Sequence, residues 1–486
     1  MRALLFLFVL ASAVACAVNP VTRRPEVTLI SASREKEIGQ EQAQIVAESM
    51  GIVRDPQLTA YVAQVGARVA ARSPRRDVTY VFQIVDSDEP NAFALPGGTV
   101  YVSRGMLALL ESEDELAGVL GHEIAHIAAK HAVQRVSRAA PLGVVTGLGA
   151  AVTGLVSPQL GNLVAGAGLA ANEAMLAPYG RAQELEADRV GAAMAADAGY
   201  DPAALVRALA ALTQDDERRG DDRRPDWFTT HPPLPRREQE AAAEATRLTR
   251  AAPDPVAATP ADFLRRLDGL VIGDDPAQGV IDGSRVLHPL LGFALTFPQG
   301  WELENAPTSI GARPPRGTQA ALVLAGAGQG DDPAAALEPG VRAQVGTPGG
   351  ITRTTIDGLP ALHVVGLTQA EDGTQVVIDI TLIAFRGAIY QVAGAATRRD
   401  YAATRGDFER TAGSFRALTP AERAGIRVTR LRLVPARAGE TVAQVSARAK
   451  SVWKGADAAA RNGRDPGERL PAGTLVKVAV SEPYRG

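Results

Sequence analysis

The sequence predicts a multidomain chain with a mainly helical α+β domain, then an α+β, β-rich domain, and last a small βααβ domain. Its 486 residues are enough for about two to four domains. Apolar residues recur at helical spacing up to about residue 249, and with a period of two from about 263 to 418. An Ala/Pro-rich segment, 250–262, separates the two patterns and is predicted to be a linker.

The composition excludes several classes of protein. Hydrophobic residues make up 46% and charged residues 22% of the chain, which is ordinary for globular proteins and excludes a wholly disordered one. The net charge of −3 argues against a dedicated nucleic-acid-binding protein, which usually has a basic excess. One cysteine cannot form an intramolecular disulfide or a multi-cysteine zinc ribbon. A metal site would therefore use the six histidines and the carboxylates.

The N-terminus has the pattern of an exported protein. A basic residue, an apolar run too short to span a membrane and a group of small residues occupy positions 1–15, as in a signal peptide. The only cysteine, Cys16, stands where a bacterial lipoprotein signal is cut, and Ala17 after it resembles an outer-membrane sorting pattern. We expect an acylated Cys16 to anchor the protein at the outer membrane, facing the periplasm, with 16–32 as a tether. The alternative is an ordinary secretory signal with an unrelated cysteine.

The block 263–420 is predicted to be an α+β domain of unknown role. Hairpin turns are indicated at Asp357-Gly358, Asp372-Gly373 and Arg386-Gly387, beside strand-forming runs at 376–385 and 388–392. A single helix over 401–415 is predicted to close the domain.

The last block, 427–486, has a strand, a helical stretch opened by Gly-Glu-Thr at 439–441, an Asn462-Gly463 turn and a final apolar run. This order resembles a LysM module, a βααβ fold that binds peptidoglycan. The resemblance implies that the C-terminal end of the protein contacts the cell wall.

The chemistry is concentrated on one predicted helix. Ser112 is the expected N-cap, with Glu115 completing a capping box. His122 and His126 are four residues apart and project from the same side of that helix. Two imidazoles on adjacent turns can hold Zn²⁺, and Glu123 can act as general base on a water at the metal. The pattern predicts the site of a zinc protease.

A catalytic zinc needs a third protein ligand. His131 is turned about 140° away from His126 on a continuous helix, so we expect it in the core or behind the ligands. Glu184 and Asp188 are one turn apart on a second predicted helix and can face the site together. We predict that Glu184 binds zinc and that Asp188 accepts the free ring N–H of a ligand histidine.

Four segments in one order, 91–98, 122–126, 184–188 and 231–232, are similar to the HtpX/BepA-like zinc metallopeptidases. These are gluzincins in the family of the CAAX prenyl endopeptidases, and the resemblance covers about residues 33–245. It implies a zincin-type metallopeptidase domain over 33–249 with one Zn²⁺ per chain. It also implies an edge strand beside the cleft that pairs with substrate. The residues predicted for that strand are Asn91, Ala92, Phe93, Gly97 and Gly98.

The resemblance adds two further candidates for the site, His231 and Arg237. In BepA-like members the histidine that matches His231 can occupy the fourth zinc position and hold the enzyme latent, and the arginine matching Arg237 lies nearby. Whether His231 blocks or assists catalysis stays open at this point. The alternative is that His231-Pro232 only starts a helix.

An uncharged, glycine-rich insert, 139–172, separates the two ligand-bearing segments. It is predicted to be a lid or plug over the cleft, because glycine-rich helices of small residues pack weakly and can hinge. A pair of buried helices and a membrane hairpin are the alternatives.

Taken together, these features predict a zinc metalloendopeptidase of the bacterial envelope. The family resemblance implies misfolded or misassembled periplasmic and outer-membrane proteins as substrates, with no nucleic-acid partner. Two other functions remain open: a chaperone that holds clients while its protease site stays latent, and a hydrolase of peptidoglycan cross-links.

Overall fold

The computed structural model describes residues 15–28, 30–139, 178–219, 226–232, 237–315, 317–337, 350–369 and 374–485. Most of the predicted signal peptide and of the predicted lid, and the turn at Asp372-Gly373, lie outside these ranges. The described residues form a mainly helical region, a β-rich region and a small C-terminal sheet with two helices. None of the helices in these ranges combines the length and apolar composition needed to cross a membrane.

The helical region surrounds one buried helix and one small sheet. Its described helices are α1 (Ala32–Ser49), α2 (Pro56–Ala70), α3 (Arg104–Leu109), α4 (Glu113–Ala128), α5 (His131–Ala139), α6 (Arg181–Asp197), α7 (Ala204–Arg219), α8 (Trp227–Thr230) and α9 (Arg237–Ala245). Its sheet has the order β3 (Val81–Val85), β5 (Thr99–Ser103), β4 (Ala92–Ala94). Strand β3 is parallel and β4 antiparallel to β5.

Two short strands, β1 (Ala15–Val18) and β2 (Pro25–Thr28), pair as an antiparallel hairpin before α1. The segment predicted as a tether therefore has structure of its own. The carboxamide oxygen of Asn19 accepts hydrogen bonds from the N–H groups of Val21 and Thr22, which stabilises the turn. The Asn19 amide donates to the carbonyl of Ala129 at the end of α4.

Helix α4 is the centre of the helical region, because all its residues except Asp114 are buried. The Ser112 hydroxyl accepts from the Glu115 N–H at 3.3 Å, as expected of an N-cap. The Glu115 carboxylate, however, accepts from the N–H of Glu111 at 2.7 Å, so it does not close the predicted box onto Ser112. Its other oxygen faces Arg207 at 3.4 Å, so both oxygens find donors in this position.

The predicted linker, 250–262, is held against the start of α4. The N–H groups of Val256 and Ala257 donate to the two carboxylate oxygens of buried Glu113. The hydroxyls of Tyr61 and Tyr200 donate to the same carboxylate at 2.8 and 3.1 Å. The linker is fixed because its backbone supplies donors to a buried charge that would otherwise be costly.

The β-rich region contains two antiparallel sheets. The larger has the order β10-β11-β12-β16-β15-β14-β13, and the smaller has the order β17-β9-β8-β7. Their bounds are β7 (Val280–Asp282), β8 (Arg285–His288), β9 (Phe293–Thr296), β10 (Glu302–Ala306), β11 (Ser309–Arg313), β12 (Ala320–Gln329), β13 (Ile351–Ile356), β14 (Leu359–Gln369), β15 (Gln375–Phe385), β16 (Ala388–Thr397) and β17 (Arg416–Ala417). Helix α10 (Pro260–Arg266) precedes these strands in sequence, α11 (Tyr401–Gly413) lies between β16 and β17, and α12 (Pro420–Gly425) follows β17.

Two hairpins of the larger sheet turn where the sequence predicts. The central residues are Asp357-Gly358 between β13 and β14, and Arg386-Gly387 between β15 and β16. All four have positive φ angles, 48°, 77°, 53° and 75°. Two-residue turns of this kind suit the twist of the paired strands, which is why glycine stands at the second position.

The C-terminal region has the predicted βααβ order: β18 (Arg427–Pro435), α13 (Val442–Arg448), α14 (Gly455–Ala460) and β19 (Leu475–Pro483). Strands β18 and β19 pair antiparallel, and the short strand β6 (Val271–Ile272) extends the sheet. Buried residues of this region, among them Leu431, Val445 and Val478, belong to the same hydrophobic cluster as the core around α4. The region predicted as a separate domain therefore shares its core with the helical region.

Lys477 of β19 connects this region to α3. Its side chain is fully buried, and its ammonium donates to the carbonyls of Ala108, Leu109 and Leu110 at 2.8, 3.2 and 3.2 Å. The carboxylate of Glu111 lies 2.6 Å from the same ammonium. A cation at the C-terminal end of a helix satisfies carbonyls that have no partner inside the helix.

We expect Lys477→Ala to lower the free energy of unfolding by about 2–4 kcal/mol, because it removes the fully buried stem and the ammonium that donates to three carbonyls at the end of α3. Urea denaturation followed by circular dichroism measures the change. Lys454→Ala, at an exposed position of the same region, is the control and should stay within about 0.5 kcal/mol of wild type. Equal midpoints for Lys477→Ala and wild type would contradict this role of Lys477.

The β-rich region contains a titratable pair. The Nε2–H of His363 donates to Asp379 at 2.7 Å, and the Tyr401 hydroxyl donates to the other oxygen of that carboxylate at 2.8 Å. The hydrogen bond to Asp379 raises the pKa of His363 above its usual value, with Glu409 adding to the rise and burial opposing it.

A raised pKa in the folded state means that protonated His363 stabilises the fold. This contribution is complete below the unfolded-state pKa of about 6.5 and is lost as the pH rises through the higher folded-state pKa. The melting temperature of wild type should therefore exceed that of His363→Gln by more at pH 5.5 than at pH 8.5. Differential scanning calorimetry at both pH values tests this, and an equal difference at the two would refute it.

Candidate metal centre

Two glycines let α4 and α6 touch backbone to backbone. A Cβ atom on Gly191 would lie 2.7 Å from both the carbonyl carbon of Gly121 and the nitrogen of His122. A Cβ on Gly121 would lie 2.8 Å from the Gly191 carbonyl oxygen. Glu184 and Asp188 precede Gly191 by seven and three residues, so they share its face of α6. The close crossing brings both carboxylates against the histidines of α4.

Four side chains meet where the two helices cross: His122, His126, Glu184 and His231. All are buried, and one donor atom of each lies within 4.8 Å of every other. The Nε2 atoms of His122 and His126 are 3.0 Å apart, and the Glu184 carboxylate oxygens lie 3.7 and 3.5 Å from them. The first three residues are the metal ligands that the sequence predicts.

The chemistry of these donors fits zinc. Ligand atoms of a tetrahedral zinc site lie about 3.3–3.5 Å from one another, close to the spacings of this cluster. Burial lowers the pKa of both His122 and His126, so both rings stay neutral and keep a lone pair. A cation between these two lone pairs and the buried Glu184 carboxylate would interact favourably with all three groups. His122, His126 and Glu184 are therefore suited to hold one zinc ion per chain.

Asp188 holds His122 in position. Its Oδ1 lies 2.9 Å from the His122 Nδ1, and the Arg237 guanidinium donates to both of its oxygens at 2.7 and 2.8 Å. Burial alone would raise the pKa of Asp188, but the hydrogen bonds from Arg237 and His122 bring it well below the usual range. The ionised carboxylate keeps the His122 proton on Nδ1 and leaves Nε2 free for the metal.

Arg237 also contacts Glu184, with its Nη1 2.9 Å from Oε2. Burial raises the pKa of Glu184, while His122 and Arg237 oppose the rise. One guanidinium at the start of α9 therefore contacts both carboxylates of α6.

Glu123 is fully buried beside the ligands. Within the described residues neither of its carboxylate oxygens has a hydrogen-bond partner. Burial, with the charge of Glu184, raises its pKa well above the usual value. A buried carboxylate with free lone pairs next to a metal site can take a proton from a water placed there.

His231 directly follows α8 and contacts ligand residues of both α4 and α6. Its Nδ1 lies 3.0 Å from Glu184 Oε1 and 3.2 Å from His122 Nε2, while its Nε2 lies 3.4 Å from Glu123. The Trp227 indole stacks on its ring at 4.1 Å and 22°. Burial and the charge of Arg237 lower the pKa of His231 well below the usual value, so it is a neutral fourth donor.

Strand β4 contains two of the residues predicted for the substrate strand, Ala92 and Phe93. It lies at the edge of the described sheet and packs against α4. Asn91 precedes it, and Gly97 and Gly98 follow in the turn to β5 with φ angles of 84° and 117°. The carbonyl of Pro90 accepts from the Trp227 N–H at 3.0 Å, which joins this strand to the segment that carries His231.

Residues 56–245 match the profile of peptidase family M48. The chain carries an M48 peptidase domain. M48 metallopeptidases depend on zinc, so the cluster of His122, His126 and Glu184 is the expected metal site of this domain. The resemblance to HtpX/BepA-like peptidases is confirmed, whereas a LysM module stays a prediction.

Similar proteins are metalloproteases. The chain is 31% identical over 206 residues to the beta-barrel assembly-enhancing protease of Escherichia coli strain K12, a match that covers 42% of each protein. It is 33% identical over 186 residues to the mitochondrial metalloendopeptidase OMA1 of Schizosaccharomyces pombe, covering 38% of this chain and 53% of that protein. The match thus spans about half or less of either relative. These similarities support a metalloendopeptidase activity for the segment that matches family M48.

Several contributors to the M48 site were not singled out from the sequence. Tyr179 stacks on the ring of His126 at 3.9 Å and 24°, and Trp227 stacks on His231. Glu186 also belongs to this group, because it contacts His131, the histidine expected from the sequence in the core or behind the ligands. Aromatic residues close in sequence to Glu184 and His231 were the available signal, but no spacing rule connects them to a metal.

We expect Gly191→Ala to push α4 and α6 apart, because its Cβ would meet backbone atoms that cannot rotate away. The free energy of unfolding should fall by about 1–3 kcal/mol, and zinc affinity should fall with it. Gly413→Ala is the matched control, since no atom lies within 4 Å of its added Cβ. Its stability should change by less than about 1 kcal/mol. Chemical denaturation and zinc titration measure both quantities, and unchanged zinc affinity in Gly191→Ala would contradict the role of the crossing.

Proposed function

We propose that the protein is a zinc-dependent metalloendopeptidase of the bacterial cell envelope that degrades misfolded or misassembled periplasmic and outer-membrane proteins. The observation that carries the proposal is Glu123, a buried carboxylate without a hydrogen-bond partner in the described residues, beside His122, His126 and Glu184. This is the arrangement that hydrolysis of a peptide bond by metal-assisted proton transfer requires.

Each group at the site has a separate role in the proposed hydrolysis. A bound zinc would lower the pKa of a water and polarise the scissile carbonyl. Glu123 takes the proton of the attacking water and delivers it to the leaving amine. Asp188, held by its buried ion pair with Arg237, keeps His122 oriented through the hydrogen bond to its Nδ1.

Strand β4 is suited to hold an extended substrate. An edge strand offers backbone N–H and C=O groups that pair with any extended peptide, whatever its side chains. Such pairing selects unfolded chain over folded protein and has little sequence preference. The name of the Escherichia coli relative, a beta-barrel assembly-enhancing protease, supports envelope proteins as the substrate class.

We further propose that His231 holds the resting enzyme inactive. Its Nδ1 lies beside Glu184 and the Nε2 of His122, where a fourth ligand of zinc would lie. A histidine in the fourth position leaves no place for the nucleophilic water. The ring must leave before catalysis, and Trp227 and Tyr179, which flank the site, would have to adjust. The insert 139–172, proposed as a lid or plug, would limit access further.

The proposed location rests on two features at the ends of the chain. An acylated Cys16 would anchor the protein at the outer membrane, and the βααβ region 427–486 would bind peptidoglycan as a LysM-like module. The order and antiparallel pairing of β18 and β19 support the second part. Both attachments, as proposed, would keep the protease near the site where envelope proteins assemble.

Casein cleavage by zinc-loaded protein beginning at residue 17 tests the proposal. Glu123→Gln should reduce the rate by about 10²–10⁴-fold, and a chelator should abolish it. His231→Ala should cleave faster than wild type, since it frees the fourth position. Glu240→Gln, at an exposed position on α9, is the control for the first variant and should match wild type.

Three outcomes would contradict parts of the proposal, and each favours a different function. Slower cleavage by His231→Ala than by wild type would mean that His231 assists catalysis. Prevention of casein aggregation by Glu123→Gln without any cleavage by wild type would favour a holding function. Release of peptides from isolated cell walls, with casein intact, would favour a peptidoglycan hydrolase.

A further inference from the structure

His126 makes a second contact away from the metal cluster. Its Nε2 faces His122 and Glu184, and its Nδ1 lies 2.8 Å from the Nδ1 of His131. The two rings are nearly perpendicular, with centroids 4.9 Å apart and an interplanar angle of 73°. This is a hydrogen bond between two imidazoles, both almost fully buried.

The direction of this hydrogen bond follows from metal binding. A neutral imidazole carries one proton, and the nitrogen that binds a metal must offer its lone pair. Because Nε2 of His126 faces the metal, its proton is on Nδ1, and Nδ1 donates. Nδ1 of His131 must then accept, which leaves the proton of neutral His131 on Nε2.

The Nε2 of His131 has an acceptor in reach. It lies 3.2 Å from an oxygen of Glu186, whose side chain is 22% exposed. With zinc bound, His126 therefore donates to His131, and His131 donates to Glu186. Glu186 is on α6, the helix that also carries Glu184 and Asp188. Helix α6 therefore supplies a carboxylate for each ligand histidine. Asp188 contacts His122 directly, and Glu186 reaches His126 through the ring of His131.

A break in the helix makes this contact possible. Helix α4 ends at Ala128, and Lys130 has a φ angle of 57°, in the left-handed region. The chain turns there and begins α5 with His131, so the rotation expected on a continuous helix does not apply. Packing of Tyr179 on His126 at 3.9 Å holds the ligand ring between the two contacts.

We propose that His131 and Glu186 form a hydrogen-bonded relay that orients His126 and sets its tautomer for zinc binding. They are positioning residues: neither supplies a donor atom to the metal. The proposal rests on the zinc site described above, and it predicts a defined proton position on each ring.

Zinc affinity tests the relay without measuring catalysis. In competition with a fluorescent chelator, His131→Ala and Glu186→Gln should each weaken zinc binding by the factor typical of partners behind a ligand, about 10–100-fold. Because Glu186 acts only through His131, the double variant should bind zinc no more weakly than His131→Ala alone. His363→Ala and Glu302→Gln, both in the β-rich region, are the matched controls and should bind like wild type. Glu186→Gln changes a partly exposed side chain, so it tests the relay even if His131→Ala fails to fold.

Proton positions give a second, independent readout. The chain has six histidines, so ¹H–¹⁵N spectra of the zinc-loaded, ¹⁵N-histidine-labelled protein can be assigned by substitution. We expect His126 to be protonated at Nδ1 and His131 at Nε2. A proton on Nδ1 of His131, or additive losses of zinc affinity in the double variant, would overturn the relay. Wild-type zinc affinity in both single variants would overturn it while leaving the metal site intact, whereas a wild-type protein that fails to bind zinc would overturn both.

Discussion

The backbone contact between Gly121 of α4 and Gly191 of α6 is the constraint on which the metal centre depends. The ligands come from two helices that are far apart in sequence, and a side chain at either glycine would separate those helices. At that crossing His122 and Glu184 come within 3.7 Å of each other, and Asp188 reaches the far side of the same ring.

Buried charges hold α4 at both ends. At its N-terminus, Glu113 accepts hydrogen bonds from the linker and from two tyrosines. At its C-terminal end, the carbonyl of Ile127 accepts from Arg75, which also pairs with Glu35 at 2.8 Å. Isolated buried charges would be costly, so each is matched by donors or an opposite charge. The metal-bearing helix is therefore fixed along its axis by groups from four other segments of the chain.

The regions beyond the M48 domain are attached to it by specific contacts. Arg104 donates to the carbonyls of Val271 and Gly273, and Lys477 caps α3 from the C-terminal sheet. A shared hydrophobic cluster continues between the helical region and β18, α13 and β19. Such contacts make the C-terminal region part of one packed body with the peptidase, so that a proposed attachment to the cell wall would also orient the catalytic cleft.

The residue pattern by itself determined the local parts of this protein: the shared face of His122 and His126, the neighbouring base Glu123, the pair Glu184 and Asp188, and the hairpins at Asp357 and Arg386. Each follows from a period of 3.6 or 2, or from a turn preference, and these depend only on neighbours along the chain. Tertiary structure alone decided that His131 meets His126, that Trp227 and Tyr179 enclose the site, and that the linker binds the start of α4 while the C-terminal region packs against the end of α3. Those contacts join residues far apart in sequence or depend on where a helix stops, and only the packing of the whole core selects them.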